Sequence, residues 1–207
     1  MKKILSVVII LIAFVAIPLK SYSQLRYGAT AGATLSSLNF KQDLVGVSDA
    51  VGYTAGIQGE LMFPGIGLGL DIGLLYNQLG AKVNLGDRKV WSSLGYGNER
   101  VYLHYVQVPF HLRFKWTKMN GLEERIAPFV YFGPDLTLLA AHGNCDAFDY
   151  AGGEVGLTAG FGFEILQKWQ ISAAYTWGLT YSLKTKLLDD FSARNRHWAV
   201  RLTYFFD

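Results

Sequence analysis

The sequence predicts an all-β protein, an eight-stranded antiparallel up-and-down transmembrane β-barrel. Three observations carry this: a two-residue period in eight separate runs, connections that alternate between long and short, and aromatic residues at both ends of the apolar face. The period is cleanest over residues 154–182. There Val155, Leu157, Ala159, Phe161, Phe163 and Ile165 alternate with Glu154, Gly156, Thr158, Gly160, Gly162 and Glu164. After a break at Gln167 and Lys168, Trp169, Ile171, Ala173, Tyr175, Trp177, Leu179 and Tyr181 alternate with small and polar residues. Successive side chains on a strand point to opposite faces, so this is a β-hairpin. Taken alone it fits a membrane barrel with its polar face inward, or a soluble lipocalin-like barrel with its apolar face inward.

Six further runs alternate in the same sense. Residues 25–36, 51–63, 66–78, 101–116, 126–140 and 196–206 each set large apolar side chains against Gly, Thr, Ser and charge. Two details stand out. Gly59 interrupts the apolar side of the second run, and Pro109, which has no donor for a ladder, predicts a bulge in the fourth. A proline and a glycine at 64–65 make a tight turn between the second and third runs.

The connections at 37–50, 79–100, 141–153 and 183–195 are long, and those at 64–65, 117–125 and 167–168 are shorter. Short periplasmic turns alternating with longer outer loops are the plan of outer-membrane barrels, and an even strand count puts both termini on the periplasmic side. On the apolar face Phe63, Trp116, Trp169, Tyr204 and Phe206 fall at the periplasmic ends, and Tyr53, Tyr76, Tyr102, Tyr181 and Trp198 at the outer ends. Two aromatic belts belong at two water-lipid interfaces, which a soluble barrel would not explain.

The address agrees. Residues 1–23 read as a cleaved signal peptide: Lys2 and Lys3, an apolar run over 4–17, then Ser21, Tyr22 and Ser23 as the cleavage site. Residues 24–207 then form one barrel domain. The formal charge of +3 resides in the leader, because removing Lys2, Lys3 and Lys20 leaves 16 basic and 16 acidic residues. Nothing in that balance argues for nucleic acid. A single cysteine, Cys145, excludes an internal disulfide framework.

Several motifs recur along the chain: Gly28-Ala-Thr-Ala-Gly32, Gly52-Tyr-Thr-Ala-Gly56, Gly73-Leu-Leu-Tyr76 on to Gly80, Tyr105-Val-Gln-Val-Pro109, Gly133-Pro134, Glu154-Val-Gly156 with Gly160-Phe-Gly162, and the end Tyr204-Phe205-Phe206. With these the chain resembles the PorT-like outer-membrane β-barrel family of Gram-negative envelopes, over essentially everything after the leader. The resemblance implies an integral outer-membrane protein with a structural or protein-interaction role. Because members of that family are implicated in type IX secretion, it also opens an accessory role there.

The polar face carries Arg26, Glu60, Asp71, His111, Arg113, Lys115, Asp135, Glu154, Glu164 and Arg201. An eight-stranded interior is only wide enough to be filled by side chains, so these charges are expected to pair into a lumen network that braces the barrel. An ion path or small-solute channel is the alternative function. A third is an outer-leaflet lipid-modifying enzyme, with His104 as base on the lipid-facing side of its run. That reading lacks a serine or acid partner at an obvious spacing. His142, Cys145, Asp146 and Asp149 read as a polar exposed loop rather than a metal cluster. The sequence therefore predicts no catalytic centre, cofactor or metal. Its partners are outer-membrane lipid and envelope or secretion-machinery proteins, met through long loops or periplasmic turns. Apolar residues in the loops, Val90, Trp91, Leu94 and Tyr96 and then Leu187, Leu188 and Phe191, serve either as contact sites or to cap and extend the barrel mouth.

Overall fold

A computed structural model describes residues 24–40, 46–63, 65–84, 97–117, 121–143, 148–185 and 192–206. The predicted leader at 1–23, Cys145, Asp146 and the apolar loop residues Val90, Trp91, Leu94, Tyr96, Leu187, Leu188 and Phe191 lie outside them. Ten strands follow in order: β1 Gln24–Phe40, β2 Gly46–Met62, β3 Leu68–Asn84, β4 Asn98–Lys115, β5 Ile126–His142, β6 Phe148–Tyr150, β7 Gly153–Ile165, β8 Trp169–Gly178, β9 Leu183–Thr185 and β10 Ser192–Phe206. All pairings are antiparallel, and β1 pairs with β10 from Tyr27 opposite Phe206 to Phe40 opposite Ala193. That pairing closes eight long strands (β1, β2, β3, β4, β5, β7, β8 and β10) into a barrel, and closure leaves the wall no free edge.

The wall is inverted relative to a soluble protein. Val51 is 73% exposed and Phe161 55%, whereas Glu60 and Asp135 are fully buried and Arg113 is 1% exposed. Apolar side chains cover the outside and charges fill the inside. Aromatic contacts ring both ends of the outer face. At the short-turn end Trp169 meets Tyr204 at 4.7 Å between centroids and Phe114 meets Trp116 at 4.9 Å. At the long-loop end Tyr53 meets Tyr76 at 5.5 Å and Tyr175 meets Trp198 at 4.9 Å.

The short turns are tightly held. Between β2 and β3 Phe63 N donates to Leu68 O at 2.8 Å, and Gly65 and Gly67 take φ of 84° and 75°. Between β7 and β8 the non-glycine residues Leu166 and Gln167 take φ of 52° and 59°. Neighbouring strands hold that conformation: Leu166 N donates to Arg125 O at 2.9 Å and Arg26 Nη1 donates to Gln167 O at 2.6 Å.

Three expectations need correction. The strands run further at the loop end than the sequence runs: β1 reaches Phe40, β3 reaches Asn84 and β4 starts at Asn98, while β6 and β9 fall in stretches read as connections. β8, conversely, stops at Gly178 rather than 182. Pro109 causes no bulge; it stays in register opposite Asp135, and the ladder to β3 is merely interrupted between Ile72↔Phe110 and Leu75↔Gln107. A missing donor removes a hydrogen bond, but the fixed φ of proline remains compatible with an extended strand. The β4–β5 register shift lies instead at His104/Tyr105.

The extra strand length forms a second storey. Leu38, Phe40, Leu79, Ala81, Val83, Val101, Leu103 and Tyr105 turn inward and pack with Phe148 of β6, Leu183 of β9 and Ala193 of β10. β9 pairs with β6 and with the start of β10, so two short strands carry apolar plugs to the loop-end mouth of the barrel.

Candidate functional site

The polar lumen below this apolar storey is the candidate site, and strand register assembles it. Arg26 on β1 stands opposite Glu60 on β2, Glu60 opposite Asp71 on β3, and Asp71 opposite His111 on β4. Glu60 and Asp71 are therefore two carboxylates face to face inside a low-dielectric interior. Such a pair requires a shared cation. Arg113 supplies it: Nη1 lies 3.0 Å from Glu60 Oε2, and Nη2 lies 2.7 Å from Asp71 Oδ2, with Nε donating to Asp71 Oδ1 at 2.8 Å. Its guanidinium also lies over the Phe129 ring, 4.0 Å from the centroid.

Two further cations complete the layer. Lys115 Nζ lies 2.6 Å from Glu60 Oε1 and 2.9 Å from Glu164 Oε2. Arg26 Nη2 lies 2.8 Å from Glu60 Oε1 and also pairs with Glu164. Gln170 ties the group together, donating from Nε2 to Glu60 at 2.7 Å and to Glu164 at 2.8 Å and accepting from Arg113 Nη1 at 2.9 Å. Six of the ten charged residues expected in the lumen thus meet in one network near the short-turn end. The other four do not join it. His111 Nε2 lies 2.9 Å from Asp135 Oδ1, and Asp135 also accepts from Thr158. Glu154 accepts from Ser182 nearer the loop end. Arg201 is buried, and its Nε and Nη2 find no hydrogen-bond partner among the described residues.

Gln170, Thr158 and Ser182 were not among the expected network residues, because charge alone was the selection. The signal for Gln170 was its position: it stands directly opposite Glu164 on the β7–β8 hairpin. The lumen holds a cavity of about 10 Å³ lined by His111, Arg113, Gln170, Arg201 and their neighbours. That is room for about one water. His104 lies on the outward side, where its Nδ1 is 2.5 Å from the Tyr76 hydroxyl and its ring stacks on Tyr76 at 5.9 Å. His142 stacks on Tyr150 at 4.1 Å, and no cluster of three His, Cys, Asp or Glu is arranged to hold a metal among the described residues.

A closed antiparallel barrel with an apolar exterior and a charged, paired interior defines a membrane-spanning β-barrel, since closure lets neighbouring strands satisfy one another's backbone groups without water. The family comparison gives the same class. The chain belongs to the outer membrane protein beta-barrel domain family, whose model matches residues 19–184. It is an outer-membrane β-barrel protein. No curated protein sequence matches the chain. Among solved structures it is similar to the outer membrane protein OprG of Pseudomonas aeruginosa, with TM-score 0.55, 12% identity, and coverage of 90% of this chain and 98% of that one. It is also similar to Neisserial surface protein A, with TM-score 0.47, 11% identity and coverage of 87% and 97%. The attachment invasion locus protein Ail of Yersinia pestis gives TM-score 0.43, 13% identity and coverage of 88% and 99%.

Proposed function

We propose that the protein is a non-conducting structural and protein-interaction element of the cell envelope. The observation that supports this is a lumen filled by side chains at two levels: an ionic layer around Glu60 and Arg113 at one end and an apolar cluster around Phe148 and Leu183 at the other. A path for ions would need a continuous wet passage, and paired charges packed against side chains leave none. The position of His104 supports a non-catalytic reading, because its Nδ1 is engaged by a tyrosine hydroxyl rather than by a serine or an acid. In this proposal the short turns and both termini face the periplasm, residues 1–23 are removed on export, and the apolar wall meets outer-membrane lipid. Envelope proteins dock on the loops or turns. An accessory role in type IX secretion rests on the motif resemblance to PorT-like barrels alone.

Planar-bilayer recording of the purified protein tests the closed lumen. The expected result is no steady openings; reproducible unitary conductance would overturn the proposal in favour of a channel. Co-purification from mild detergent identifies the assembly. Recovery of a stoichiometric envelope partner supports the interaction role, and repeated isolation of the barrel alone counts against it.

A further inference from the structure

Among the described residues the loop end carries more basic than acidic side chains on its outward face. Above the loop-end aromatic belt the described outward residues include Lys82, Arg100, Lys184, Arg194 and Arg196, all exposed, and the described exposed acids there are Asp49 and Asp149. Two features of this collar are unusual. Lys82 on β3 stands directly opposite Arg100 on β4, although like charges directly opposed across a ladder are destabilising. Among the described residues no carboxylate pairs with either. They line an outward groove of about 570 Å³ together with Ser48, Asn84 and Asn98, and among the described residues no acid lines that groove.

A second groove of about 310 Å³ lies next to the first around the barrel, between β8, β10, β1 and β2. Trp198, Tyr175 and Leu35 form its floor at the level of the aromatic belt, and Arg196, Asn39 and Asp49 line its polar side. With the Asn39 amide oriented to satisfy both groups, its oxygen accepts from Arg196 Nη2 at 2.8 Å, which holds the guanidinium at the groove. Cations placed just above an aromatic belt match an anionic head group whose acyl chains lie along the wall below.

We propose that this collar binds the phosphate groups of phosphorylated lipid head groups in the leaflet around the loop end of the barrel. Arg196 and the Lys82–Arg100 pair are the anchoring cations. A guanidinium matches phosphate bidentately and an ammonium serves as a point charge, so the two kinds of site are complementary. The Trp198 and Tyr175 rings hold the apolar part of the same lipid. Asp49 opposes binding within its groove. The inference rests on the placement of the apolar wall in lipid proposed above, and it gives a role to an otherwise repulsive pair that has no acidic partner among the described residues.

The test uses the full barrel refolded in dodecyl maltoside micelles and titrated with a diphosphorylated glucosamine lipid (lipid A), with the dephosphorylated lipid, and with dextran sulfate. Wild type is expected to prefer the phosphorylated lipid. Changing Arg196, Lys82 and Arg100 to Gln weakens that binding about fivefold for each cation removed. Asp49→Asn strengthens binding, and Arg196→Lys retains most of it. Far-UV circular dichroism and heat-modified gel migration confirm that each variant is a folded barrel. Equal binding of both lipids by wild type, or an unchanged preference in the triple variant, overturns the proposal. Tighter binding of dextran sulfate than of the phosphorylated lipid overturns it too, in favour of a soluble polyanion. Density-gradient fractionation of cells reads membrane placement separately, so loss of lipid preference with normal outer-membrane fractionation sinks only this inference.

Discussion

Arg113 and Asp71 meet inside the barrel on neighbouring strands, with three nitrogen-oxygen contacts of 2.7–2.9 Å, and both side chains are essentially buried. Because Arg113 also touches Glu60, it is the only described cation that contacts both of the opposed carboxylates. Removing it leaves Asp71 and Glu60 facing each other, with Lys115 and Arg26 reaching only Glu60. Arg113→Met is therefore expected to destabilise the barrel by about 3–5 kcal/mol, read as a lower urea midpoint in lipid vesicles. Adding Asp71→Asn to that variant should recover part of the loss, since it removes the uncompensated charge. A loss below about 1 kcal/mol for Arg113→Met would show that the layer does not brace the wall.

The aromatic support under Arg113 depends on a glycine. A Cβ at Gly162 would meet the Ile171 carbonyl oxygen first, and would lie 2.6 Å from Phe129 Cζ and 2.9 Å from Ser172 Cβ, so neither the β8 backbone nor the Phe129 ring beneath the guanidinium leaves room for a side chain there. Gly162→Ala is expected to cost about 1–3 kcal/mol through overpacking. Gly59 is the internal control. Its nearest neighbour would be 3.6 Å from a Cβ, an ordinary contact on the outer face, so Gly59→Ala should leave the unfolding midpoint unchanged. Equal effects at the two sites would mean that crowding inside the lumen is not the reason for Gly162.

The outer wall should show depth dependence along a single strand. On β10 the outward residues run Trp198, Val200, Leu202, Tyr204 and Phe206, with the belt aromatics Trp198 and Tyr204 bracketing Val200 and Leu202. Val200→Arg places a charge at the middle of the wall and is expected to cost about 2–4 kcal/mol, against about 0–1 for Phe206→Arg at the edge. The folded fraction on heat-modified gels after insertion into vesicles reads the difference. Equal tolerance at both positions would contradict a lipid-facing wall.

The alternation of Phe161, Phe163 and Ile171 with Glu164, Gln170 and Thr158 made the wall legible from sequence, because a barrel in a membrane needs one apolar and one polar face over its whole height. The second storey was not legible, although the same alternation continues through it. On β3 the apolar positions are Leu70, Ile72, Leu74 and Tyr76, then Leu79, Ala81 and Val83. The phase shifts by one residue because the outward face leaves lipid for water and the apolar side turns in to form the plug. A search for one continuous phase ends the strand at that shift. The lumen was legible as a set of charges and not as a set of pairs, since pairing depends on register: Arg113 reaches Asp71 diagonally, and Arg201, on the same face, makes no ion pair within 4 Å among the described residues. Nor is an inward polar position tolerant merely because it is polar. Thr158 is fully buried and bonded to Asp135 and Thr176, so a charge there should be as damaging as one in the wall.

Two independent closures make a prediction that one closure would not. Leu183 is fully buried in the apolar storey, and its strand β9 is held by only two register pairs to β10 and three to β6. An unpaired carboxylate cannot remain in that core, so Leu183→Asp should release β9 while leaving the ladders among the eight wall strands intact. Trypsin cleavage after the exposed Lys184 should then accelerate, with heat-modified migration of the barrel unchanged. The bilayer should stay silent, because the layer of Arg26, Glu60, Asp71, Arg113, Lys115 and Glu164 still fills the other end. Steady conductance should appear only when Leu183→Asp is combined with Arg113→Ala and Glu60→Ala. Openings in the Leu183→Asp variant alone would show that the apolar plug is the sole seal and that the charged layer is permeable.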